Sequence, residues 1–344
     1  MFALESAIDE IAEACGVDPI EFRIRNEPEI DPGSGLPFSS RNLVACLREG
    51  ARRFGWEPRD PTPRTRRQDG WLVGTGVAAA IYPMFRLPGG AAIRALPGDR
   101  YVVKLGAADI GTGAWTALTQ IAADALDVEV DDVELQIGDS ELPFTSGAGG
   151  SSGTISWGTW IVEAAAQLKA CLASEYRGVV PPEGLEVAVQ GSLNPHLKQL
   201  SMYTFGAQFA EVRVREDTGE VRVARLLGMY DAGRIVNPKT ARSQLLGGMT
   251  WGLSMALHEH SVIDPRFGHV VNQDLAGYHI AANADIGSIE VHWLDQPDTY
   301  FGPIGAKGIG EIGIVGTPAA IANAVHHATG KRIRSLPITI DRLL

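Results

Sequence analysis

Cysteine is scarce: Cys15, Cys46 and Cys171 are the only three in 344 residues, far apart and without a C-x-x-C pair. That excludes a thiolate zinc site or an iron–sulfur cluster held by this chain alone. All three are expected to be small buried hydrophobes. Positive charge is also short, with 30 Lys and Arg against 41 Asp and Glu and a net charge of −11. A surface that neutralises nucleic-acid phosphates or docks on an anionic membrane needs the opposite balance, so neither partner is expected. No apolar run is long enough to span a bilayer, and no basic segment followed by an apolar stretch opens the chain. The expected compartment is the cytoplasm, the alternative being periplasmic export with a signal-bearing partner. A Walker lysine after a glycine loop is missing too, which argues against a P-loop nucleotidase.

Glycine, by contrast, is abundant, at 40 residues where average usage gives roughly 24. The excess clusters in short loops between apolar elements. Glycine lets a backbone approach a ligand closely, so the clusters suggest a large ligand gripped by loops. Tight turns in a strand-rich fold are the plainer alternative.

Helical spacing is read over 2–14, in a short helix opened by Asp18-Pro19, and over 41–54. Residues 57–70 form a polar, proline-rich connector. Strands follow from Trp71, then a helix over 114–126, a strand at 133–137 and a helix from about 157 to 172. Two further strands, 207–215 and 220–230, flank the hairpin signal Asp217-Thr218-Gly219. A helix is predicted over 239–258, a strand over 289–294 and a helix over 318–329. Strands and helices alternate without a clean βαβ rhythm, which favours an α+β fold of mixed sheets with packed helices. The organisation expected is a helical segment and connector over 1–70 and one α+β region over 71–344.

Four loops run from a strand into a helix, whose unpaired N–H groups suit phosphate. The first, Asp109 to Gly113, holds Gly111, Thr112 and Gly113; it lacks the third glycine and later acid of a dinucleotide fingerprint. In the second, Ser146 to Thr154, the residues Ser151, Ser152, Gly153 and Thr154 supply hydroxyls and supple backbone. The third, Tyr230 to Pro238, offers Arg234 for a phosphate and Asn237 as a ligand contact or a plain helix cap, with Gln244 two turns on. In the fourth, Gly305 to Gly313, Glu311 sits in a glycine-saturated run where partial desolvation makes a better base. Lys307 supplies a charge for a phosphate or tunes that base; a Glu–Lys pair in a turn is the bland reading. His258-Glu259-His260 lacks metal-ligand spacing for a helix, and His326-His327 reads as structural.

Taken together, the segments LESAIDEIA, DPIEFRIRN, DIGTGAWTALTQIA, SGAGGSSGT, DAGRIVNPKTARSQLLGGMTWGLSMALHE, NQDLAGYHI and GAKGIGEIG resemble, in order, the C-terminal half of the molybdopterin-binding large subunits of the xanthine dehydrogenase/aldehyde oxidase family. The GEIGIVG form is most similar to bacterial aldehyde oxidoreductases that use molybdopterin cytosine dinucleotide. Thr112 stands where the family has a glutamine. The resemblance implies oxidation of an aldehyde or N-heterocycle with oxygen from water, Glu311 taking the proton. It implies two electrons leaving through an iron–sulfur subunit carrying 2Fe–2S clusters and an FAD subunit. It also implies cofactor contacts from Gly111, Thr112 and Gly113; from Ser151 to Thr154; from Arg234, Ile235, Val236, Asn237, Pro238, Lys239, Thr240 and Gln244; and from Lys307, Gly308, Ile309 and Gly310. Molybdenum in this family is held mainly by the pterin, so no protein metal ligand is expected. Two upstream segments of the family, a glycine-phenylalanine loop and an A-F-R-G-like run, are missing. The chain is therefore expected to be N-terminally truncated and to need a complementary N-terminal half. The competing readings are a non-catalytic fragment or scaffold and a phosphate-handling enzyme built on the glycine loops.

Overall fold

The computed structural model describes residues 1–191 and 193–344. Its helices are α1 (Phe2–Ala14), α2 (Pro19–Arg25), α3 (Leu43–Phe54), α4 (Ala114–Leu126), α5 (Gly153–Glu175), α6 (Pro238–Leu257) and α7 (Ile312–Thr329). Its strands are β1 (Arg67–Gln68), β2 (Trp71–Pro83), β3 (Gly89–Leu96), β4 (Arg100–Lys104), β5 (Val133–Gln136), β6 (Leu185–Gly191), β7 (Tyr203–Arg215), β8 (Val221–Asp231) and β9 (Ser288–Leu294). Two sheets result, in the orders β1-β2-β7-β8-β9 and β5-β4-β3-β6. Each is antiparallel apart from one parallel pair at an edge, β8 with β9 and β4 with β5. This is the expected α+β architecture of mixed sheets and packed helices.

Helices cover both faces of the larger sheet. Leu47, Phe54 and Phe209 belong to the core beneath α3, while Leu245, Met249, Ile321 and Val325 belong to the core under α6 and α7. The smaller sheet packs against α4 and α5 around Trp157 and Trp160. α1 is anchored by a buried carboxylate: Glu5 accepts from Arg23 at 2.7 Å and from the Ala79 backbone of β2 at 2.6 Å.

Two helices start earlier than the sequence suggested, and both shifts matter to the site. α7 begins at Ile312 and encloses Pro318, where a start at the proline was expected. Gly313 and Gly316 make the run before Pro318 resemble a loop in the sequence. Both are packing glycines: a Cβ at 313 would lie 2.8 Å from the Leu245 carbonyl, and one at 316 would lie 2.8 Å from that of Ala79. Likewise α5 begins at Gly153, so the end of the glycine loop is already helix. Strand β6, not anticipated, is an alternating edge strand paired with β3. The cysteines need a correction: Cys46 is buried, but Cys15 is exposed and Cys171 only half-buried. Cys15 caps the end of α1, where the chain turns away from the core.

The C-terminal end of α7 is fastened by its histidines. His327 accepts from the Thr75 backbone at Nδ1, 2.9 Å, so Nε2 carries the proton and donates to the Asp60 carbonyl at 2.8 Å. Burial first, and then the Arg59 charge, pull its pKa down to about 4 from 6.5. Burial lowers His326 as well, against the pull of Glu13. The unfolded chain therefore binds the extra proton first. Stability is complete above pH 6.5 and drains as pH falls towards about 4. The loss expected from His327 is on the order of 3 kcal/mol. Thermal midpoints measured across that window should fall for the wild type and flatten in His327→Asn; equal slopes would show that this ring does not titrate with unfolding.

Candidate active site

A cavity of about 310 Å³ opens where the α4–α5 layer meets the α6–α7 layer. It is lined by Thr112, by Ser151 to Thr154, by Arg234 to Asn237, Thr240 and Gln244, and by Lys307 to Glu311. Four loops far apart in sequence thus meet at one place. Of the residues singled out from sequence, Gly111, Gly113, Pro238 and Lys239 do not border it. The first two amides are spent on Asp109, whose Oδ1 accepts from Gly111 at 2.9 Å and Gly113 at 3.2 Å. Burial opposes the effect, but the backbone N–H groups of Trp115, Gly111 and Gly113 hold the Asp109 carboxyl below its usual range. Pro238 and Lys239 lie on the exposed side of the first turn of α6.

Three helices begin at this space: the first turns of α5 and α6 line it, and α7 borders it through its N-cap residue Glu311. α5 starts at Gly153 with no side-chain cap, and α7 starts after Glu311 with none. α6 starts at Pro238 and is capped by Asn237, which accepts from the Thr240 backbone at 3.0 Å. The capping reading of Asn237 therefore holds, and its amide also donates to Gln120. Unpaired N–H groups and aligned peptide dipoles make such a convergence attractive to anions. Ser151, with φ +56, and Gly150, with φ +59, bend the second loop so that it turns tightly into α5. Arg234 is the solvent-accessible cation of the lining; it pairs with Asp124 of α4, an exposed partner that a phosphate can replace. Glu311 is the one carboxylate there.

Glu311 is half-buried at the N-terminus of α7 and accepts a hydrogen bond from Ser151 Oγ at 2.7 Å. Tyr82, at the end of β2, lies beside it; burial, and then the Glu311 carboxylate, push the phenol up to about 12. Nothing in the apolar strand pattern marked Tyr82. Two polar residues of β7 were missed in the same way. Thr204 donates to the Gly308 carbonyl at 2.7 Å, and Gln208 donates to the Gly313 carbonyl at 2.7 Å. They hold both ends of the run that carries Glu311. The one sequence signal for them was a polar side chain in a strand buried on both faces. Lys307 behaves differently from expectation. Its ammonium is fully buried against Asp231 at 2.8 Å, so it cannot reach a phosphate in the cavity. Among the described residues, no cluster of three His, Cys, Asp or Glu side chains is arranged to hold a metal.

Known proteins resemble this chain in both sequence and fold. The sequence model of a molybdopterin cofactor-binding domain matches residues 49–201 and 189–287. The aldehyde oxidoreductase molybdenum-binding subunit PaoC of Escherichia coli K12 is 42% identical over 369 residues, covering 100% of this chain and 50% of PaoC. The putative xanthine dehydrogenase molybdenum-binding subunit XdhA of the same strain is 31% identical over 393 residues, covering 100% and 51%. Among solved structures, the aldehyde oxidoreductase of Desulfovibrio desulfuricans superposes with a TM-score of 0.85 at 25% identity, over 100% of this chain and 40% of that one. Quinoline 2-oxidoreductase of Pseudomonas putida gives 0.84 at 24%, over 99% and 51%. The chain spans about half the length of the curated relatives it matches.

Proposed function

The chain belongs to the molybdopterin-binding large-subunit family of xanthine dehydrogenases and aldehyde oxidoreductases, and we propose from this that it forms the base-bearing half of a molybdenum hydroxylase site, with Glu311 as the general base. One observation carries the reading: the lone carboxylate of the cavity stands at the junction of three helix N-termini suited to a phosphate-bearing ligand. The donor set fits molybdopterin. The hydroxyls of Ser151, Ser152 and Thr154, the Arg234 guanidinium and the free amides of α5 and α7 would hold its anionic part. Gly308 lets the second and fourth loops pack against each other, since a Cβ there would meet the Ser151 carbonyl at 2.3 Å. When bound, the cofactor supplies the redox chemistry and the activation of water.

The chain's own task is orientation and proton handling. Ser151 fixes one oxygen of Glu311 by its hydrogen bond, leaving carboxylate lone pairs to accept a proton. The substrate class we propose is an aldehyde, with N-heterocycles second, since the similar PaoC is a subunit of an aldehyde oxidoreductase. The cytosine dinucleotide form of the cofactor, a complementary N-terminal half, and iron–sulfur and FAD partner subunits complete the proposal.

Co-expression with the N-terminal half of a close relative, followed by pterin and molybdenum analysis, tests this. The wild-type complex is expected to carry both. Arg234→Ala should lower pterin content severalfold while slowing the loaded fraction less. Unchanged molybdenum content in that variant would remove Arg234 from the cofactor site. Nucleotide turnover by a pterin-free wild type would replace the reading with a phosphate-handling one.

A further inference from the structure

The side chains of Lys307 and Asp231 are each 0% exposed, and they pair at 2.8 Å. Asp231 ends β8; the same oxygen accepts from the Asn42 backbone at 3.2 Å, and its other oxygen has no partner. Around the pair, two backbone segments are stitched together. Lys307 N donates to the Ala232 carbonyl at 3.0 Å, and Arg234 N donates to the Gly305 carbonyl at 2.8 Å. Gly233, with φ +65, permits the contact, because a Cβ there would lie 2.4 Å from the Gly305 carbonyl. One strand leads directly to the Arg234–Gln244 wall of the cavity, the other to Glu311 four residues on.

Burying two charges is costly, and an apolar pair of similar volume commonly gives equal or better stability. What an ion pair adds is a single defined register between two segments. We propose that Lys307 and Asp231 are positioning residues for Glu311, locking the run 305–311 against the end of β8 so that the base and the Arg234 wall keep a fixed separation. This rests on the functional reading above. The pair does not touch the cavity contents; it acts through the backbone it holds.

The test uses the assembled complex carrying Asp231→Asn with Lys307→Met, a neutral pair of similar volume. Pterin content should stay at the wild-type level. Amide hydrogen exchange across 305–311 should speed up severalfold while the interior of α7 stays protected. The kcat should fall roughly ten- to a hundredfold, the cost of about 1 Å of misplacement, with KM within about twofold. Adding Glu311→Gln should bring little further loss beyond that of Glu311→Gln alone. Asp231→Leu with Lys307→Met, an apolar pair that leaves no buried charge unpaired, should give the same signature and stands in if the first double variant does not fold. Wild-type kcat in a folded variant, losses that multiply with those of Glu311→Gln, or activity that tracks lost pterin would each overturn the inference. A wild-type complex without pterin would overturn the functional reading as well; a pterin-loaded wild type beside an unaffected variant overturns this inference alone.

Discussion

Glu311→Gln in the pterin-loaded complex is expected to lower kcat by roughly 10²–10⁴-fold, the usual range for removing a general base. Pterin and molybdenum content should not change. Gln keeps the length and planarity of the side chain, and Ser151 can still hydrogen-bond to it across the present 2.7 Å contact. The free amides of α5 and the Arg234 guanidinium, which would hold the ligand, are untouched. KM should therefore move little, because the lost interaction belongs to the transition state. Ser151→Ala serves as the comparison: it frees the carboxylate without removing it and should cost far less. Full turnover in Glu311→Gln at wild-type pterin content would remove Glu311 as the base and leave the cavity a binding site only.

Much of this site was readable before any coordinates. Glycine clusters and helix-start residues pointed to Ser151, Arg234, Asn237 and Glu311, because supple backbone and cap chemistry are local properties that a sequence records directly. What stayed hidden depends on partners distant in the chain. Lys307 reads as a charge for a phosphate, a tuner of the base or a partner of Glu311, because its actual counter-ion, Asp231, is 76 positions away. Tyr82, Thr204 and Gln208 lay inside apolar strand patterns, and only the pairing of β2 with β7 and the seat of α7 brings them to the Glu311 run. The start of α7 was misplaced for a related reason. Gly313 and Gly316 look like loop residues in the sequence, whereas their missing side chains let a buried helix press against α6 and β2.

That last point extends to Gly76, on the strand beneath α7, and gives the largest stability effect expected here. A Cβ at this position would lie 2.3 Å from the Ala320 carbonyl oxygen and 2.3 Å from the Ala324 nitrogen. Those atoms are the backbone of a helix buried along nearly its whole length, so no flexible side chain can yield. Gly76→Val must push α7 off the sheet, and the cost should reach about 3 kcal/mol or more, the upper end for overpacking. Gly247→Ala is the control: it lies within α6, and a Cβ there meets nothing within 4 Å, so relief of backbone entropy should raise stability by roughly 0.5–1 kcal/mol. The consequence for chemistry follows from the same geometry. Glu311 stands at the N-cap position of α7 and is bonded to Ser151 on a different layer, so a displaced helix carries the carboxylate away from its donor. Denaturation midpoints of the two variants decide the matter. A Gly76→Val protein with the wild-type midpoint would mean that α7 can settle elsewhere on β2, and that the close seating of this helix does not fix where the base stands.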